Sequence, residues 1–338
     1  RFREVLRVLS GESLRVAVVG LGKMGLLHAS ILNVLPNVHV VALCDKSVMI
    51  RRFLRKVFDG IHLVDDVDKL SDLDLDAVYV TTPISSHFPV ARTVYLKEIA
   101  RNLFVEKTLA SSYEKAKELC ELARRFGGVN MVGYTRRFAV TFKKAKDLLA
   151  QDAIGEVFSF KAYACSSDFL GSEKGLGTPV SRGGVLRDLG CYAVDLALWF
   201  FGDLHVESAK LASIVDSGSE DSAYFKVKKS NGVEGEFNVS WCMENYRIPE
   251  VGLSISGSKG IIEVSDDKLD LKLKDGKSFT WYRHDLNDNV TFWLGGPEYF
   301  REDEYFVNSV IEGRNAEPSF YTASKVDKII DEVKHGAG

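Results

Sequence analysis

The sequence has few cysteines and little net charge, and each shortage excludes classes of protein. No two of its five cysteines have CxxC spacing, which argues against a disulfide framework and against a zinc site. We therefore expect no metal and a reducing, cytoplasmic compartment. The formal net charge of −3 provides no overall attraction to nucleic acid or to an anionic membrane, so neither is expected as a partner.

A long apolar run is also missing. The best candidate, Ala193–Phe201, contains Asp195 and is about half as long as the roughly 20 residues that a membrane-spanning helix needs. Residues 1–13 lack the apolar core of a signal peptide and are expected to be an N-terminal extension. The 338 residues exceed one ordinary core, which predicts two domains.

The first third of the chain alternates short, continuously apolar segments with segments of helical periodicity. This order is typical of a parallel sheet covered on both faces, so residues 14–135 are predicted to form a doubly wound α/β (Rossmann) domain. The predicted strands are Leu14–Val19, Val38–Cys44, Ala77–Val80, Leu103–Val105 and Val129–Val132. The predicted helices are Met24–Leu35, Val48–Val57, Ser86–Ile99 and Tyr113–Phe126.

After residue 135 the pattern changes to alternating polar and apolar residues with glycine-containing turns. Residues 136–338 are therefore predicted to form an α+β domain with a large open, mostly antiparallel sheet. The predicted strands are Val157–Ala164, Val206–Ile214, Ala223–Val227, Val233–Ser240, Gly252–Ser256, Ile261–Val264 and Ser278–Arg283. The predicted helices are Phe138–Leu149, Leu186–Phe201, Glu302–Glu312 and Thr322–Val333.

A glycine-rich loop, Gly20-Leu21-Gly22-Lys23-Met24-Gly25, joins the first predicted strand to the first predicted helix. The GxGxxG pattern is weak evidence alone, because glycine-rich turns are common. In a strand–loop–helix setting, however, its glycines allow a tight turn and a close approach to a pyrophosphate, and the helix N-terminus offers free N–H groups. The loop therefore predicts a bound dinucleotide.

An acid at the end of the second predicted strand supports this prediction. Asp45 stands where a carboxylate accepts hydrogen bonds from the adenosine ribose diol and repels a 2′-phosphate, so NAD is favoured over NADP. Lys46 and Ser47 follow and could hold such a phosphate, which leaves NADP open. The alternative for Asp45 is a solvated acid at a strand end.

Five motifs follow one another along the chain. They are the glycine loop with His28-Ala29, Thr82-Pro83 with His87, Glu106-Lys107, 133–138 (Gly-Tyr-Thr-Arg-Arg-Phe) and 183–190 (Gly-Gly-Val-Leu-Arg-Asp-Leu-Gly). In this order and spacing they resemble the family named for glucose–fructose oxidoreductase, inositol dehydrogenase and rhizopine-catabolism proteins (Gfo/Idh/MocA), over nearly the whole chain. The resemblance implies a Rossmann domain followed by a domain with an open, mostly antiparallel sheet, through which members form homodimers or homotetramers.

The resemblance also implies roles for single residues. Glu106-Lys107 matches the Glu-Lys-Pro signature of the family, with Thr108 in place of proline. Asp188 matches an aspartate of the second domain. Four residues later many family dehydrogenases have histidine, whereas this chain has Tyr192. A tyrosine there is similar to the glucose–fructose oxidoreductase and dihydrodiol dehydrogenase branches, in which it is the proposed proton donor.

Together these arguments define the expected site. The expected catalytic residues are Lys107, Asp188 and Tyr192. The expected substrate-binding residues are Lys107, Tyr134, Arg137, Asp188 and Tyr192, although Arg137 could equally be a salt-bridge partner between the domains. The expected cofactor-binding residues are Gly20, Leu21, Gly22, Lys23, Met24, Gly25, Asp45, Lys46, Thr81, Thr82, Pro83, His87, Glu106 and Lys107. His28 is expected to be a packing or backbone-bonded residue.

The chemistry of alcohol oxidation gives these residues their expected tasks. Tyr192 would act as general acid and base, Lys107 would lower the pKa of its phenol, and Asp188 would orient a substrate hydroxyl or the lysine. Asp188, Tyr192 and Asp195 have i, i+4, i+7 spacing and would share one face of a helix. A helix cap, solvent exposure or a structural hydrogen bond are the alternatives for this polar stripe.

The leading functional prediction is an NAD-dependent dehydrogenase that oxidises a secondary alcohol of a sugar, a sugar derivative or a cyclic polyol. Two alternatives keep the fold: an aldose–aldose oxidoreductase that retains its cofactor, and a sugar-nucleotide 3-dehydrogenase. Cations that could bind the phosphates of a sugar nucleotide are Arg136, Arg137, Arg182 and Arg187. An alternative of another class is a non-catalytic NAD(P)-binding regulator, which would have lost its lysine or its proton donor.

Overall fold

The computed structural model describes residues 13–57, 60–169, 182–215 and 218–336, which form two compact units. The predicted N-terminal extension lies almost wholly outside the described residues. The first unit combines the described residues up to Gly133 with Val290–Ser324, and the second combines Tyr134–Asn289 with the described residues from Lys325 onwards. The sequence pattern predicts one domain over residues 136–338. The segment Val290–Ser324 instead packs with the first unit.

The first unit is built on a parallel sheet. Its strands are β1 (Leu14–Val19), β2 (Val38–Cys44), β3 (His62–Val64), β4 (Ala77–Val80), β5 (Asn102–Glu106) and β6 (Asn130–Gly133). Their spatial order is β3-β2-β1-β4-β5-β6, and every neighbouring pair is parallel. This confirms the predicted doubly wound sheet. β3 was not predicted, because three partly exposed residues at a sheet edge give no periodic signal.

The second unit is built on a larger, mixed sheet. Its strands are β7 (Val157–Cys165), β8 (His205–Ala212), β9 (Ser222–Lys228), β10 (Glu234–Ser240), β11 (Glu250–Gly257), β12 (Gly260–Ser265), β13 (Lys268–Leu273) and β14 (Ser278–Tyr282). Their order is β14-β13-β12-β11-β7-β10-β9-β8, and the pairing is antiparallel except between β7 and β10. The predicted open, mostly antiparallel sheet is confirmed. β13 was missed although its leucines alternate with charged residues.

The α-helices of the described residues are α1 (Lys23–Val34), α2 (Val48–Leu54), α3 (Ile84–Leu96), α4 (Tyr113–Phe126), α5 (Val140–Ala150), α6 (Cys191–Phe201), α7 (Pro297–Glu312) and α8 (Phe320–Lys334). In the first unit α7 packs against α1, and Phe306 of α7 contacts the edge of Tyr79 from β4. This burial explains why the late helix α7 belongs to the first unit. In the described part of the chain, no helix has both the length and the apolarity needed to cross a membrane.

One face of the second sheet is apolar and the other is charged. Helices α5 and α6 cover the apolar face, where Phe160 stacks on Phe201 with ring centroids 4.2 Å apart. The opposite face has ion pairs between neighbouring strands, among them Lys228–Glu234 (3.1 Å). The alternating pattern that predicted these strands therefore reflects one buried face and one polar face.

Candidate active site

The glycine loop forms the tight turn between β1 and α1. Gly20 has a φ of 94°, in the region that favours glycine, and a Cβ atom there would lie 2.7 Å from the backbone nitrogen of Thr82. A Cβ atom at Gly25 would collide with the carbonyl oxygen of Gly20. Gly22, by contrast, has open space where its side chain would be. The loop is thus packed against the protein on one side and open on the other, as a phosphate-binding turn requires.

The N-terminus of α1 lies at this open side. Its N-cap residue is Gly22, which has no side chain to cap the helix, and its first turn has no acidic residue. Lys23, which is exposed, and the half-buried Met24 begin the helix, while Leu21 is buried. The first N–H groups and the positive end of the helix dipole are therefore directed toward a ligand anion.

Asp45 connects the end of β2 to the glycine loop. Its Oδ2 atom accepts a hydrogen bond from the backbone nitrogen of Leu21 (2.7 Å), and its Oδ1 atom accepts one from the backbone nitrogen of Ser47 (2.7 Å). These bonds fix the carboxylate beside the loop and leave further lone pairs on both oxygens for a diol. The position and orientation of Asp45 fit the ribose role that the sequence predicts.

A cavity of about 490 Å³ opens beside Asp45 at the carboxyl ends of β1, β2 and β4. Gly20, Lys46, Thr82 and Pro83 contribute to its lining, as do three acids that the sequence analysis missed: Asp65, Asp66 and Asp68. These acids directly follow β3, so predicting that short strand would have found them. Asp65 and Asp68 are ion-paired with Lys69 and Lys97 (2.6 Å each), so Asp45 and Asp66 supply the negative charge that fits a ribose diol and opposes a 2′-phosphate.

Thr81 and His87 stabilise the turns around this cavity. The hydroxyl of Thr81 donates to the carbonyl of Gly20 (2.7 Å). His87 is buried, with Nδ1 2.7 Å from the carbonyl oxygen of Thr108 and Nε2 2.8 Å from that of Thr82. Burial lowers the pKa of His87. The hydrogen bonds to the two carbonyls favour the protonated ring, but their effect on the pKa is smaller than that of burial. We expected His87 to contact the cofactor, but both of its ring nitrogens bind backbone.

Lys107 lies immediately after β5, at the carboxyl end of the parallel sheet, and is half-buried. The Lys107–Thr108 peptide bond is cis, and Thr108, which replaces the family's proline, is buried. Glu106 was expected to bind cofactor. Its carboxylate is buried instead, where it contacts His28 and accepts a hydrogen bond from the backbone nitrogen of Lys107 (3.0 Å).

In the second unit, Asp188 and Tyr192 occupy consecutive turns of one helical segment. Asp188 lies in a π-helical turn, Leu186–Gly190, and Tyr192 begins α6. The even α-helical spacing assumed from the sequence is therefore broken by a wider turn. Asp188 is half-buried and bonds to Arg182, whose NH1 atom lies 3.0 Å from Asp188 and 2.8 Å from Asp168.

Arg137 and Asp195 form a buried ion pair within the second unit, which favours a structural role for both residues. Arg137 Nε lies 2.8 Å from Asp195 Oδ2, and NH2 lies 2.6 Å from Oδ1. The side chains are only 6% and 1% exposed. The guanidinium that was expected to bind substrate is thus held by both oxygens of Asp195. Asp195 in turn belongs to this pair and not to a polar stripe with Asp188 and Tyr192.

Arg136 is the residue that the structure adds to the surroundings of Tyr192. Its guanidinium carbon lies 4.1 Å from the centroid of the Tyr192 ring, close enough for a cation–π contact. Its Nε atom lies 3.2 Å from Asp266, whose other oxygen accepts from the backbone nitrogen of Val251 (3.1 Å). Arg136 is therefore held over the phenol by β11 and the turn after β12.

Tyr134 supports the other side of the same ring. It meets Tyr192 edge-on, with centroids 6.3 Å apart, and is completely buried. Burial raises the pKa of Tyr134 well above its usual value, so its hydroxyl stays protonated. Tyr134 was expected to bind substrate, whereas its burial makes it a packing partner of Tyr192.

Two family models match the chain. Residues 14–134 match an oxidoreductase family with an NAD-binding Rossmann fold, and residues 142–263 match the Gfo/Idh/MocA C-terminal domain. Among curated proteins, D-glucoside 3-dehydrogenase of Escherichia coli is 26% identical over 63% of this chain and 61% of its own length. Inositol 2-dehydrogenase of Rhizobium meliloti is 22% identical over 91% of this chain and 92% of its own length. For the curated relatives matched first, the chain spans 55–63% of their length.

Solved structures of other proteins share the fold of this chain over nearly its whole length. Levoglucosan dehydrogenase in complex with NADH and levoglucosan has a TM-score of 0.85 at 20% identity, over 96% of this chain and 97% of that one. GenD2 from gentamicin A biosynthesis, in complex with NAD, has a TM-score of 0.78 at 25% identity, over 96% and 94%. The chain belongs to the Gfo/Idh/MocA oxidoreductase family, and its first unit is the NAD-binding Rossmann fold of that family.

Proposed function

We propose that the protein is an NAD-dependent dehydrogenase acting on a secondary alcohol of a sugar, a sugar derivative or a cyclic polyol. The observation that carries the proposal is the complete set of Lys107, Asp188 and Tyr192, with Tyr192 stacked under a guanidinium. A regulator that only binds cofactor would not need this set. The names of the relatives supply the substrate class, since they act on glucosides, inositols and dihydrodiols.

NAD would be held by residues of the first unit. The N–H groups at the start of α1 would bind its pyrophosphate, and Asp45 would bind the adenosine ribose diol inside the acidic cavity. When bound, NAD supplies the hydride acceptor that the side chains lack. Because Asp66 adds negative charge beside Asp45, NAD is preferred to NADP.

Side chains of the protein would accept the proton of the substrate hydroxyl and stabilise the charge that develops on its oxygen. In the oxidation direction, the Tyr192 phenolate takes the hydroxyl proton as the substrate's C–H bond breaks. Arg136 stabilises that phenolate from the ring face, and the Lys107 ammonium donates a hydrogen bond to the reacting oxygen. Asp188 accepts a hydrogen bond from a neighbouring substrate hydroxyl, which orients the ring. In the reverse direction Tyr192 returns the proton.

The alternative of a sugar-nucleotide substrate receives little support from the arginines. Each of them contacts a carboxylate within the second unit: Arg136 with Asp266, Arg137 with Asp195, Arg182 with Asp168 and Asp188, and Arg187 with Asp327. A phosphate would therefore have to compete with an existing ion pair. An aldose–aldose oxidoreductase stays open and is recognised by cofactor that remains bound through gel filtration.

A substrate screen tests the proposal directly. Purified protein is titrated with NADH and with NADPH to measure binding, and NADH formation is then followed with D-glucosides, levoglucosan, inositols and dihydrodiols. Turnover of at least one compound with NAD supports the proposal. Tight NADH binding without turnover of any compound would contradict it and favour the regulator.

We further propose a cytoplasmic homodimer or homotetramer that associates through the open face of the second sheet. The compartment is proposed from the sequence, whose five cysteines are odd in number and lack CxxC spacing. The open face is polar, with ion pairs such as Lys161–Glu236, Lys226–Glu236 and Lys272–Glu263. An interface there would be rich in charge, so the oligomer should weaken as salt is raised. Light scattering after gel filtration at low and high salt tests this.

A further inference from the structure

A histidine is completely buried among carboxylates in the first unit. His28, on α1, has its Nδ1 atom 2.8 Å from Asp303 Oδ1 on α7 and its Nε2 atom 3.0 Å from Glu106 Oε1 on β5. All three side chains are buried. A neutral imidazole has only one N–H, so the ring donates to both carboxylates at once only as imidazolium, although burial raises the pKa of Asp303. The sequence predicts that His28 is a packing or backbone-bonded residue, whereas in the structure its ring contacts two carboxylates.

The groups around His28 favour its charged form. The carboxylates of Asp303 and Glu106 raise the pKa of His28 well above its usual value, against the effect of burial. The pKa of Glu106 is lowered, because His28 and Lys107 outweigh its burial. The remaining facing groups are the Tyr79 phenol and the carboxyls of Glu302 and Glu298.

Glu302 differs from its neighbour Asp303. It is completely buried, and neither of its carboxyl oxygens has a hydrogen-bond partner among the described residues. Burial and the nearby carboxylates raise the pKa of Glu302 well above its usual value, so it stays protonated. Glu302 is therefore as buried as His28, Asp303 and Glu106, but it does not take part in the hydrogen bonds that join those three side chains.

The contacts of His28 lead to Lys107. Glu106 accepts from His28 through Oε1 and from the backbone N–H of Lys107 through Oε2 (3.0 Å). His28 lies three residues after Gly25, on the helix whose N-terminus begins in the glycine loop. One buried path, Asp303–His28–Glu106–Lys107, thus joins α7, the cofactor-loop helix and the turn that presents the lysine.

We propose that His28 is a positioning residue, which holds Glu106 and through it the Lys107 turn in a fixed relation to the glycine loop. The inference rests on the proposed function, in which Lys107 contacts the reacting oxygen. His28 touches neither substrate nor cofactor in this role. Its imidazolium places one N–H donor at each end of a rigid ring and so can donate to both carboxylates at once, whereas the two N–H donors of a glutamine amide are on one nitrogen.

The test compares His28→Gln with Glu302→Gln as a matched control, since both residues are completely buried and belong to the same region. The first readout is the rate at which acetic anhydride acetylates Lys107, followed by mass spectrometry and normalised to exposed lysines. Without the imidazolium, Glu106 loses the contact that holds it beside the backbone of Lys107, so the charge and packing around the Lys107 ammonium change. The acetylation rate at Lys107 should therefore change by about threefold or more in His28→Gln and not in Glu302→Gln.

The second readout uses a substrate from the screen. His28→Gln should lower kcat by about 10- to 100-fold, as expected for a displaced catalytic group, while the NADH dissociation constant rises by no more than about threefold. Asp303→Asn keeps the contact between His28 and Glu106 but weakens the charge of the ring, and it should shift both readouts in the same direction by less.

The outcomes separate this inference from the proposed function. An acetylation rate of Lys107 that changes in His28→Gln alone supports the positioning role even if no substrate is found, in which case the proposed function fails alone. Acetylation that changes equally in His28→Gln and Glu302→Gln, or in neither, overturns the positioning role. If His28→Gln does not fold, unchanged acetylation in Asp303→Asn overturns it.

Discussion

The buried pair between Arg137 and Asp195 provides a sharp test of which arginine is structural. Asp195→Ala would leave the Arg137 guanidinium buried without its bidentate partner, since the two side chains are 6% and 1% exposed. Removing one partner of such a pair costs about 3–5 kcal/mol. The expected result is a second unit destabilised by that amount, measured as a shift of its transition in urea followed by circular dichroism.

An exposed pair supplies the control. Asp152 contacts Lys259 at 2.6 Å, but both side chains are more than 60% exposed, so Asp152→Asn, which also tolerates the left-handed backbone at this position (φ 57°), should change the free energy of unfolding by less than about 1 kcal/mol. Replacing both buried partners, as Arg137→Met with Asp195→Leu, should recover most of the stability that Asp195→Ala loses. Substrate KM should change little in the double variant.

The opposite pattern would refute this reasoning. If Asp195→Ala unfolded at the same urea concentration as the wild type, the pair would not carry the stability that its burial implies. If Arg137→Met with Asp195→Leu remained stable but raised KM tenfold or more, Arg137 would bind substrate, as the sequence analysis expected.

Three further predictions concern the cofactor, the proton donor and the thiols. Asp45→Ala should weaken NAD binding by about 10-fold and NADP binding by less, measured by titration with the reduced cofactors, because the ribose diol loses its acceptor. Arg136→Met should move the midpoint of the rise of kcat with pH to higher pH, because the Tyr192 phenolate loses its cation; an unchanged pH profile would count against the contact. Burial raises the pKa of Cys44 to about 12 and that of Cys165 to about 11, so thiolate, the reactive form, appears only as pH rises toward those values. Both should resist iodoacetamide at pH 8, and rapid labelling of either in the folded protein would contradict the burial.

The sequence predicted the parts of the fold that depend on local patterns. Continuous apolar strands separated by amphipathic helices identified the parallel sheet, and the glycine loop and Asp45, predicted to act together, are hydrogen-bonded neighbours in the structure. These features succeed because a strand, a turn and the acid after the next strand are fixed by short stretches of chain. Because β3 was not predicted, nothing in the sequence pattern placed Asp65 and Asp66, which follow it, in the lining of the cavity.

Features that depend on distant residues could not be predicted. His28 and Asp303 are 275 positions apart, and only the return of α7 to the first unit makes them neighbours. Nothing in the local sequence distinguishes Arg137, which forms a buried ion pair, from Arg136, which stacks on Tyr192. The two arginines are adjacent, and the short turn that contains them directs them to different partners.

The proton-transfer role of Tyr192 is the central claim, and Tyr192→Phe tests it most directly. The phenylalanine keeps the ring under Arg136 and against Tyr134, so the packing of the second unit should survive. With the best substrate of the screen, kcat should fall by about 10²–10⁴-fold across the pH range, while NADH binds within about threefold of the wild-type affinity. Turnover by Tyr192→Phe at close to the wild-type rate, with the same pH profile, would contradict the claim.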